Sequence, residues 1–297
     1  MKPKEILIVP KLTKFEWDLK RLNLTESELS EFYKKERVNA DKIIESHQRQ
    51  KQSLKKIKDL LKDSDIIERD KITRDIIKKY ELIISFGGDN HFQYVSHFLE
   101  DVPLLGINSD PERSEGALTS MNTDELEAFL PLILEKKFNI EKWTRLKISI
   151  DGKEIDDPAI SEIYIGEERR FNMSRHVIKL NGATEEQKGS GLIITTGTGS
   201  TGWYNSASRY LFPNGNQFNK NADEARFILA EPYKGRLSSL MNIHGEIKDS
   251  QEIEVISLSD TQAFLSIDSL KLIKLREGAK IKVRIGKPLA VVRLNKI

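Results

Sequence analysis

The chain contains no cysteine and no long apolar run, and these two absences exclude several classes of protein. Without cysteine among its 297 residues there can be no disulfides, no thiolate nucleophiles and no thiolate metal sites. No apolar stretch approaches the ~18 residues that span a bilayer. Residues 1–10 run directly into a strand-like segment and lack the features of a signal or transit peptide. We therefore expect a cytoplasmic protein with no membrane partner.

An excess of charge of one sign is also absent. Lysine and arginine total 48 against 46 aspartate and glutamate residues, which leaves a formal charge of +2. This balance gives no support to a nucleic-acid partner and is compatible with a small phosphorylated ligand. The five histidines show no metal-ligand spacing, so a zinc site is not expected. No Gly-x-Ser-x-Gly elbow supports a hydrolase.

The pattern of apolar residues divides the chain into two parts. Up to about residue 137, β-branched runs alternate with helical patterns, which predicts a parallel α/β (Rossmann-like) domain. Residues 26–63, without glycine or proline, predict one or two amphipathic helices. Strand-like segments then follow one another, which predicts an antiparallel, sandwich-like β domain. We expect three regions: an α/β nucleotide-binding domain over 1–137, an all-β domain over 138–286, and a C-terminal segment, 287–297, that returns to the first domain.

Two glycine-rich segments, about a hundred residues apart, carry the chemistry. Residues 85–90 follow a β-branched run, and residues 195–203 follow another. Glycines and small hydroxyl residues behind a strand let backbone N–H groups turn toward an anion. The first segment alone also fits an ordinary tight corner, whereas the second, with three glycines alternating with hydroxyl residues, is more specific. Neither is a P-loop or a dinucleotide fingerprint, and together they indicate phosphoryl transfer.

Three further groups of polar residues lie near predicted strand ends. Residues 108–111, Asn-Ser-Asp-Pro, fit either a third loop at the active edge or an Asx-turn. Ser161 and Glu162 interrupt an apolar strand, where the carboxylate could hold a ribose hydroxyl or face solvent. His91 lies two residues after Asp89, within reach of a bound phosphate.

These segments resemble the motifs of one enzyme family. Residues 87–90, Gly-Gly-Asp-Asn, resemble the GGDG loop of the NAD kinases, and residues 196–203 resemble their TPTGSTAY segment. Residues 106–116 are most similar to the N-T-D-P-x-R-S-x-G stretch of the mitochondrial-type branch. The order and spacing of the motifs agree with the family along most of the chain.

The resemblance implies an active site between the two domains and transfer of the γ-phosphoryl of ATP to the 2′-hydroxyl of the adenosine ribose of NAD. It implies a homodimer or homotetramer with NAD and ATP as substrates. Asp89 would be the catalytic residue, accepting the hydroxyl proton or orienting the Mg²⁺-bound phosphates. The resemblance implies no direct protein ligand for Mg²⁺, which would be held by the nucleotide phosphates; contact of the metal ion with Asp89 is the alternative that stays open. The implied nucleotide- and phosphate-binding residues are Gly87, Gly88, Asn90, Asn108, Ser161, Glu162, Thr198, Gly199, Ser200, Thr201, Gly202, Trp203 and Ser206.

The sequence departs from the family pattern at several of these positions. Asn90 and His91 stand where the family has Gly-Thr, and Ser161 replaces an asparagine. Ser190 replaces an aspartate, Gly197 a proline and Trp203 a tyrosine. Two alternatives to an NAD kinase therefore stay open: a kinase of the same fold that acts on another nucleoside-like or hydroxylated acceptor, and a catalytically silent NAD- or ATP-binding protein.

Overall fold

The computed structural model describes residues 1–169, 171–236 and 240–294, and these form two compact units. The first unit consists of Met1–Ile140 with the residues from Ala290 onward, and the second of Glu141–Leu289. Of the segment predicted to return to the first domain, residues 295–297 lie outside the described residues.

A parallel sheet of longer and shorter strands forms the centre of the first unit. Its strands are β1 (Ile6–Pro10), β2 (Asp65–Ile66), β3 (Leu82–Phe86), β4 (Leu104–Asn108), β5 (Met121–Asn122), β6 (Asn139–Trp143) and β19 (Leu289–Arg293). The boundaries between the two units fall within β6 and after the first residue of β19. The order is β2-β1-β3-β4-β19-β6, with the short β5 paired to β4. β1, β3 and β4 are buried along nearly their whole length, which explains their continuous β-branched and leucine runs.

Helices connect the strands of this unit. They are α1 (Lys14–Leu22), α2 (Glu26–Lys35), α3 (Ala40–Leu60), α4 (Arg74–Ile77), α5 (Asp89–Ser96) and α6 (Leu126–Leu134). The segment over residues 26–63, which lacks glycine and proline, forms two helices rather than one. The helix α2 ends before Arg37, whose φ is +52°, and Asn39 then caps α3. α1 is a helix that we did not predict; Thr13 and Glu16 form its capping box.

The second unit is a β-sandwich. One six-stranded antiparallel sheet contains β7 (Leu146–Ile150), β8 (Lys153–Ala159), β10 (Ser174–Leu180), β11 (Ala183–Gly189), β15 (Glu252–Ser257) and β18 (Lys280–Ile285). The other contains β9 (Glu162–Glu167), β12 (Gly191–Thr195), β13 (Glu224–Ala230), β14 (His244–Lys248), β16 (Ala263–Ile267) and β17 (Lys271–Leu275). Buried residues from both sheets, among them Ile148, Ile163 and Val255, share one apolar core. A short helix, α7 (Trp203–Ser208), follows the glycine-rich segment.

The predicted fold class is therefore confirmed: a parallel α/β part precedes an antiparallel β part. None of the helices in the described ranges combines the length and apolar character needed to cross a bilayer.

Candidate functional site

The first glycine-rich segment turns the chain from β3 into α5. Gly88 is the N-cap residue of α5, and Asp89 is its first helical residue. The two carboxylate oxygens of Asp89 accept hydrogen bonds from the backbone N–H groups of Ala117 (3.1 Å) and Leu118 (2.8 Å). The start of a helix also favours a negative charge. Asp89 is thus a partly exposed carboxylate at the carboxyl end of a parallel strand, fixed by backbone donors.

Close packing explains Gly87, whereas Gly88 faces only a serine hydroxyl, which could rotate away. A Cβ atom on Gly88 would lie 2.6 Å from Oγ of Ser114, and one on Gly87 would lie 2.8 Å from Cβ of His91. Asn90 lies in the first turn of α5, so its backbone is helical, and its side chain is exposed. The substitution of glycine by asparagine at this position is therefore compatible with the local backbone.

His91 does not face the space in which a phosphate would bind. Its Nε2 atom is 2.7 Å from the carbonyl oxygen of Val9 in β1, and its side chain is buried. Burial lowers the pKa of His91 to about 4. The expectation that His91 reaches phosphate is therefore wrong: the neutral ring fastens α5 to β1.

Asn108 shapes the loop that holds Asp89. Its side-chain amide donates to the carbonyl of Ser114 (2.8 Å), and its Oδ1 atom accepts from the N–H of Asp110 (3.1 Å). The structure thus supports an Asx-type turn over residues 108–111. The buried side chain of Asn108 organises the loop that ends in the two N–H donors to Asp89.

Asp110 anchors the same loop to α3, a function that sequence reasoning did not identify. Its buried carboxylate accepts from Nε of Arg49 at 3.1 Å and from the hydroxyl of Ser46. Arg49 also contacts the exposed Glu112 at 3.1 Å. The Asn-Ser-Asp-Pro signal was visible in the sequence, but nothing in it indicated a partner some sixty residues earlier.

In the second unit, Ser161 and Glu162 lie at the start of β9 beside an unpredicted carboxylate, Asp268. The N–H groups of Ile160, Ser161 and Glu162 all donate to Asp268, at 2.8, 2.8 and 2.9 Å. Asp268 is buried in the turn after β16, with φ +50°. Burial first, and the charge of Asp268 second, raise the pKa of Glu162 to about 7. A carboxyl group of this kind can bind a hydroxyl group as acceptor or donor near neutral pH.

The first half of the second glycine-rich segment is buried against its own unit. A Cβ atom on Gly197 would lie 1.9 Å from the carbonyl oxygen of Asn219, and one on Gly199 would lie 2.4 Å from that of Ser161. Ser200 donates to the carbonyl of Gly197 (2.8 Å). The buried hydroxyl of Thr198 has no hydrogen-bond partner among the described residues. These residues form a rigid base for the exposed part of the segment.

The second half is accessible. Thr201, Gly202 and Ser206 are exposed, and Thr201 lines a cavity of about 410 Å³ together with Lys220. Trp203 is partly buried, and its ring lies 5.0 Å from that of Tyr164. Of the predicted binding residues in this segment, Thr201, Gly202 and Ser206 can meet a ligand without rearrangement.

Ser190, where the family pattern has an aspartate, lies beside another carboxylate. Its hydroxyl donates to a carboxylate oxygen of Glu231, and its carbonyl accepts from the hydroxyl of Tyr164 at 2.6 Å. A carboxyl group is thus present near this position, although Glu231, a residue distant in the sequence, supplies it.

A parallel sheet that ends in a Gly-Gly-Asp helix start, followed by an antiparallel sandwich with a hydroxyl-rich glycine segment, defines a two-unit protein of the nucleotide-phosphate-binding class. No protein-family model matches the chain. Individual proteins do match. A probable NADH kinase of Oryza sativa subsp. japonica is 25% identical over 240 residues, which cover 73% of this chain and 72% of that protein.

Mitochondrial NAD kinase 2 of Rattus norvegicus is 25% identical over 253 residues, covering 68% of this chain and 60% of that protein. The crystal structure of an NAD kinase from Archaeoglobus fulgidus in complex with ATP has a TM-score of 0.65 at 18% identity, and covers 97% of this chain and 93% of its own. The chain is therefore similar to NAD and NADH kinases, as its motifs predicted, and mitochondrial NAD kinase 2 is among the proteins that it resembles.

Proposed function

We propose that the protein is an ATP-dependent NAD kinase that transfers the γ-phosphoryl of ATP to the 2′-hydroxyl of the adenosine ribose of NAD, producing NADP and ADP. The observation that carries this proposal is the geometry of Asp89. Its carboxylate is fixed by two backbone N–H groups at the start of a helix, in a chain whose relatives include NAD and NADH kinases.

The proposed step forms a bond between the ribose O2′ atom and the γ-phosphorus and breaks the bond between that phosphorus and the β–γ bridging oxygen. ADP leaves with the electron pair of the broken bond. Asp89 accepts the hydroxyl proton late, because a loose transition state needs little activation of the nucleophile. Positioning of the two substrates then supplies most of the acceleration.

Mg²⁺ would supply charge neutralisation on the phosphates. Within the described ranges, no group of three or more histidine, aspartate or glutamate side chains is placed to hold a metal ion. Both oxygens of Asp89 accept one hydrogen bond each and keep lone pairs for another contact. This donor set fits a metal ion held mainly by nucleotide phosphates.

The acceptor side of the proposal rests on the second unit. Glu162, with its raised pKa, and Ser161 would bind ribose hydroxyls of NAD. The exposed Thr201, Gly202 and Ser206 would contact its phosphates and adenine, with Trp203 beside them. The buried Thr198, Gly199 and Ser200 would act by holding the segment in shape.

The test is an incubation of purified protein with ATP, Mg²⁺ and either NAD or NADH, followed by detection of the 2′-phosphorylated product with an NADP-specific dehydrogenase. NADP or NADPH formation is the expected result. Product from another nucleoside-like acceptor alone would favour the related-kinase alternative. Binding of NAD or ATP by calorimetry without any transfer would favour the silent binding protein. Light scattering of the same sample tests the proposed homodimer or homotetramer.

A further inference from the structure

A connection of irregular structure, residues 209–223, joins α7 to β13 in the second unit. Residues 213–221 include four asparagines, a glycine and a glutamine. A segment of this composition has little apolar surface to bury, so its conformation depends on hydrogen bonds to its neighbours. The N–H and the hydroxyl of Thr144 donate to the carbonyls of Lys220 (2.9 Å) and Ala222 (2.6 Å) and so fix the end of the connection.

The middle of the connection is held by Arg226. This residue lies in β13 opposite Thr195, where β12 passes into the second glycine-rich segment. Its Nη1 atom donates to Oδ1 of Asn216 at 2.6 Å, and its guanidinium carbon lies 4.3 Å from the centre of the Phe218 ring. Its Nε and Nη2 atoms donate to one carboxylate oxygen of Glu224, at 3.0 and 2.7 Å. Contacts on several sides therefore fix the plane of the guanidinium group.

The residues that contact Arg226 also contact the second glycine-rich segment and the helix that follows it. The N–H of Phe218 donates to the hydroxyl oxygen of Ser200 at 3.2 Å. The side-chain amide of Asn216 donates to the hydroxyl oxygen of Tyr204 at 2.9 Å. Ser200 and Tyr204 are both buried. Arg226 is thus linked to two fixed points, one through each of these neighbours.

The two fixed points lie on either side of the accessible part of the segment. Ser200 precedes residues 201–203 and Tyr204 follows them; Thr201 and Gly202 are exposed, and Trp203 is partly buried. A glycine in an exposed turn has many backbone conformations open to it. The conformation of this short stretch is therefore set mainly by its two ends.

We infer that Arg226 is a positioning residue for the acceptor nucleotide, and that through Asn216 and Phe218 it holds residues 201–203 in the conformation that binds NAD. The inference rests on the proposed function, in which these residues contact NAD. A stretch that is ordered before binding gives higher affinity, because the free energy of ordering it is not subtracted from the free energy of binding.

The test compares Arg226→Gln and Asn216→Ala with Arg284→Gln. Arg284 is an arginine of β18, in the opposite sheet, and lies 3.5 Å from Glu154, so its replacement is the matched control for loss of a strand arginine and its ion pair. Hydrogen exchange of the ligand-free, full-length proteins, followed by mass spectrometry, compares residues 197–202 with residues 203–208. Calorimetry gives the Kd for NAD and for Mg·ATP, and circular dichroism measures folding.

We expect Arg226→Gln to speed exchange in both regions and to raise the Kd for NAD by roughly threefold to thirtyfold, the range for an effect transmitted through neighbouring residues. The Kd for Mg·ATP should stay within about twofold, whereas a general loss of structure would weaken the binding of both nucleotides. Asn216→Ala removes only the link to Tyr204, so exchange should become faster in residues 203–208 alone. Arg284→Gln should match the wild type.

Unchanged exchange in a folded Arg226→Gln protein would overturn the inference. Faster exchange with unchanged NAD affinity, or with an equal loss of ATP affinity, would also overturn it. If Arg226→Gln does not fold, Asn216→Ala decides, and unchanged exchange around Tyr204 counts against the inference. Arg226-dependent NAD binding in a protein that forms no NADP would refute the proposed kinase activity but support the positioning function.

Discussion

At the scale of single residues, the glycines of the second motif have two different functions. Gly197 stands where the family pattern has proline, and the carbonyl of Asn219 occupies the space that any side chain would need. Gly202 has an open neighbourhood, since an added Cβ would meet nothing nearer than the carbonyl of Gly199, at 3.5 Å. The first glycine is thus explained by packing, and the second by access to the segment from outside.

This difference predicts opposite outcomes for two alanine substitutions. Gly197→Ala should lower the free energy of unfolding by about 1–3 kcal/mol, because the backbone around Asn219 must shift. Gly202→Ala should change it by less than about 0.5 kcal/mol but should impair nucleotide binding. Urea denaturation of the two variants measures the change in the free energy of unfolding, and titration with NAD measures the change in nucleotide binding. Equal stability losses would contradict this assignment.

Glu162 should make stability depend on pH. Its pKa is about 7 in the folded protein, against 4.5 for an ordinary glutamate, so between these two pH values the folded state binds more protons than the unfolded state. Stability from this group is therefore present at pH 4.5 and is lost as the pH rises toward 7.

Replacement of Glu162 by glutamine removes this dependence. Relative to the wild type, Glu162→Gln should gain roughly 1–3 kcal/mol between pH 5 and pH 8, measured by urea denaturation at both values. The serine neighbour provides the control, since Ser161→Ala keeps the carboxyl group and should retain most of the wild-type slope. A pH-independent difference between Glu162→Gln and the wild type would show that Glu162 titrates normally.

At the scale of elements, α3 controls the loop that orients Asp89. Asp110 joins the loop to Arg49 and Ser46 of the helix, Asn108 shapes its turn, and its end donates two N–H groups to Asp89. Asp110 is therefore a positioning residue that acts on the reaction through the backbone.

Asp110→Asn should lower kcat by roughly tenfold to a hundredfold, since small displacements of a reacting group have effects of that size. The KM for NAD should change little, because Asp110 does not belong to the proposed acceptor site. Glu112→Gln is the matched control: it removes the other, exposed partner of Arg49 and should leave kcat near the wild-type value. A parallel rise in the KM for NAD, or a similar loss in both variants, would argue against the positioning function.

The elements that the sequence predicted well are the buried ones. β1, β3, β4 and β12 are fully or almost fully buried, and their continuous apolar runs mark them clearly. The sequence pattern is least informative for β11, β14 and β17, which lie at the edges of the two antiparallel sheets. Edge strands face solvent and carry many charged residues, as in the Ala183–Gly189 segment, so their apolar pattern is weak.

At the scale of the whole molecule, local patterns sufficed to predict the fold class and the similarity to NAD kinases, because both depend on short segments that follow buried strands. Long-range partners could not be predicted. Asp268 approaches Ser161 and Glu162 from more than a hundred residues away, and Arg49 reaches Asp110 across sixty-one. Only the folded chain brings these residues together. The individual functions of the predicted site residues, the domain boundaries and the cytoplasmic location stay predictions.

The most direct test of the central claim uses wild-type protein and Asp89→Asn with NAD and ATP labelled in the γ-phosphate. Asparagine keeps the size of the side chain but removes its charge and its ability to accept a proton. We predict that the wild type transfers the label to the 2′-position of NADP, and that Asp89→Asn, folded and still binding NAD, is slower by at least roughly a hundredfold. Label transfer at the wild-type rate in Asp89→Asn, or no labelled NADP from the wild type, would contradict the account.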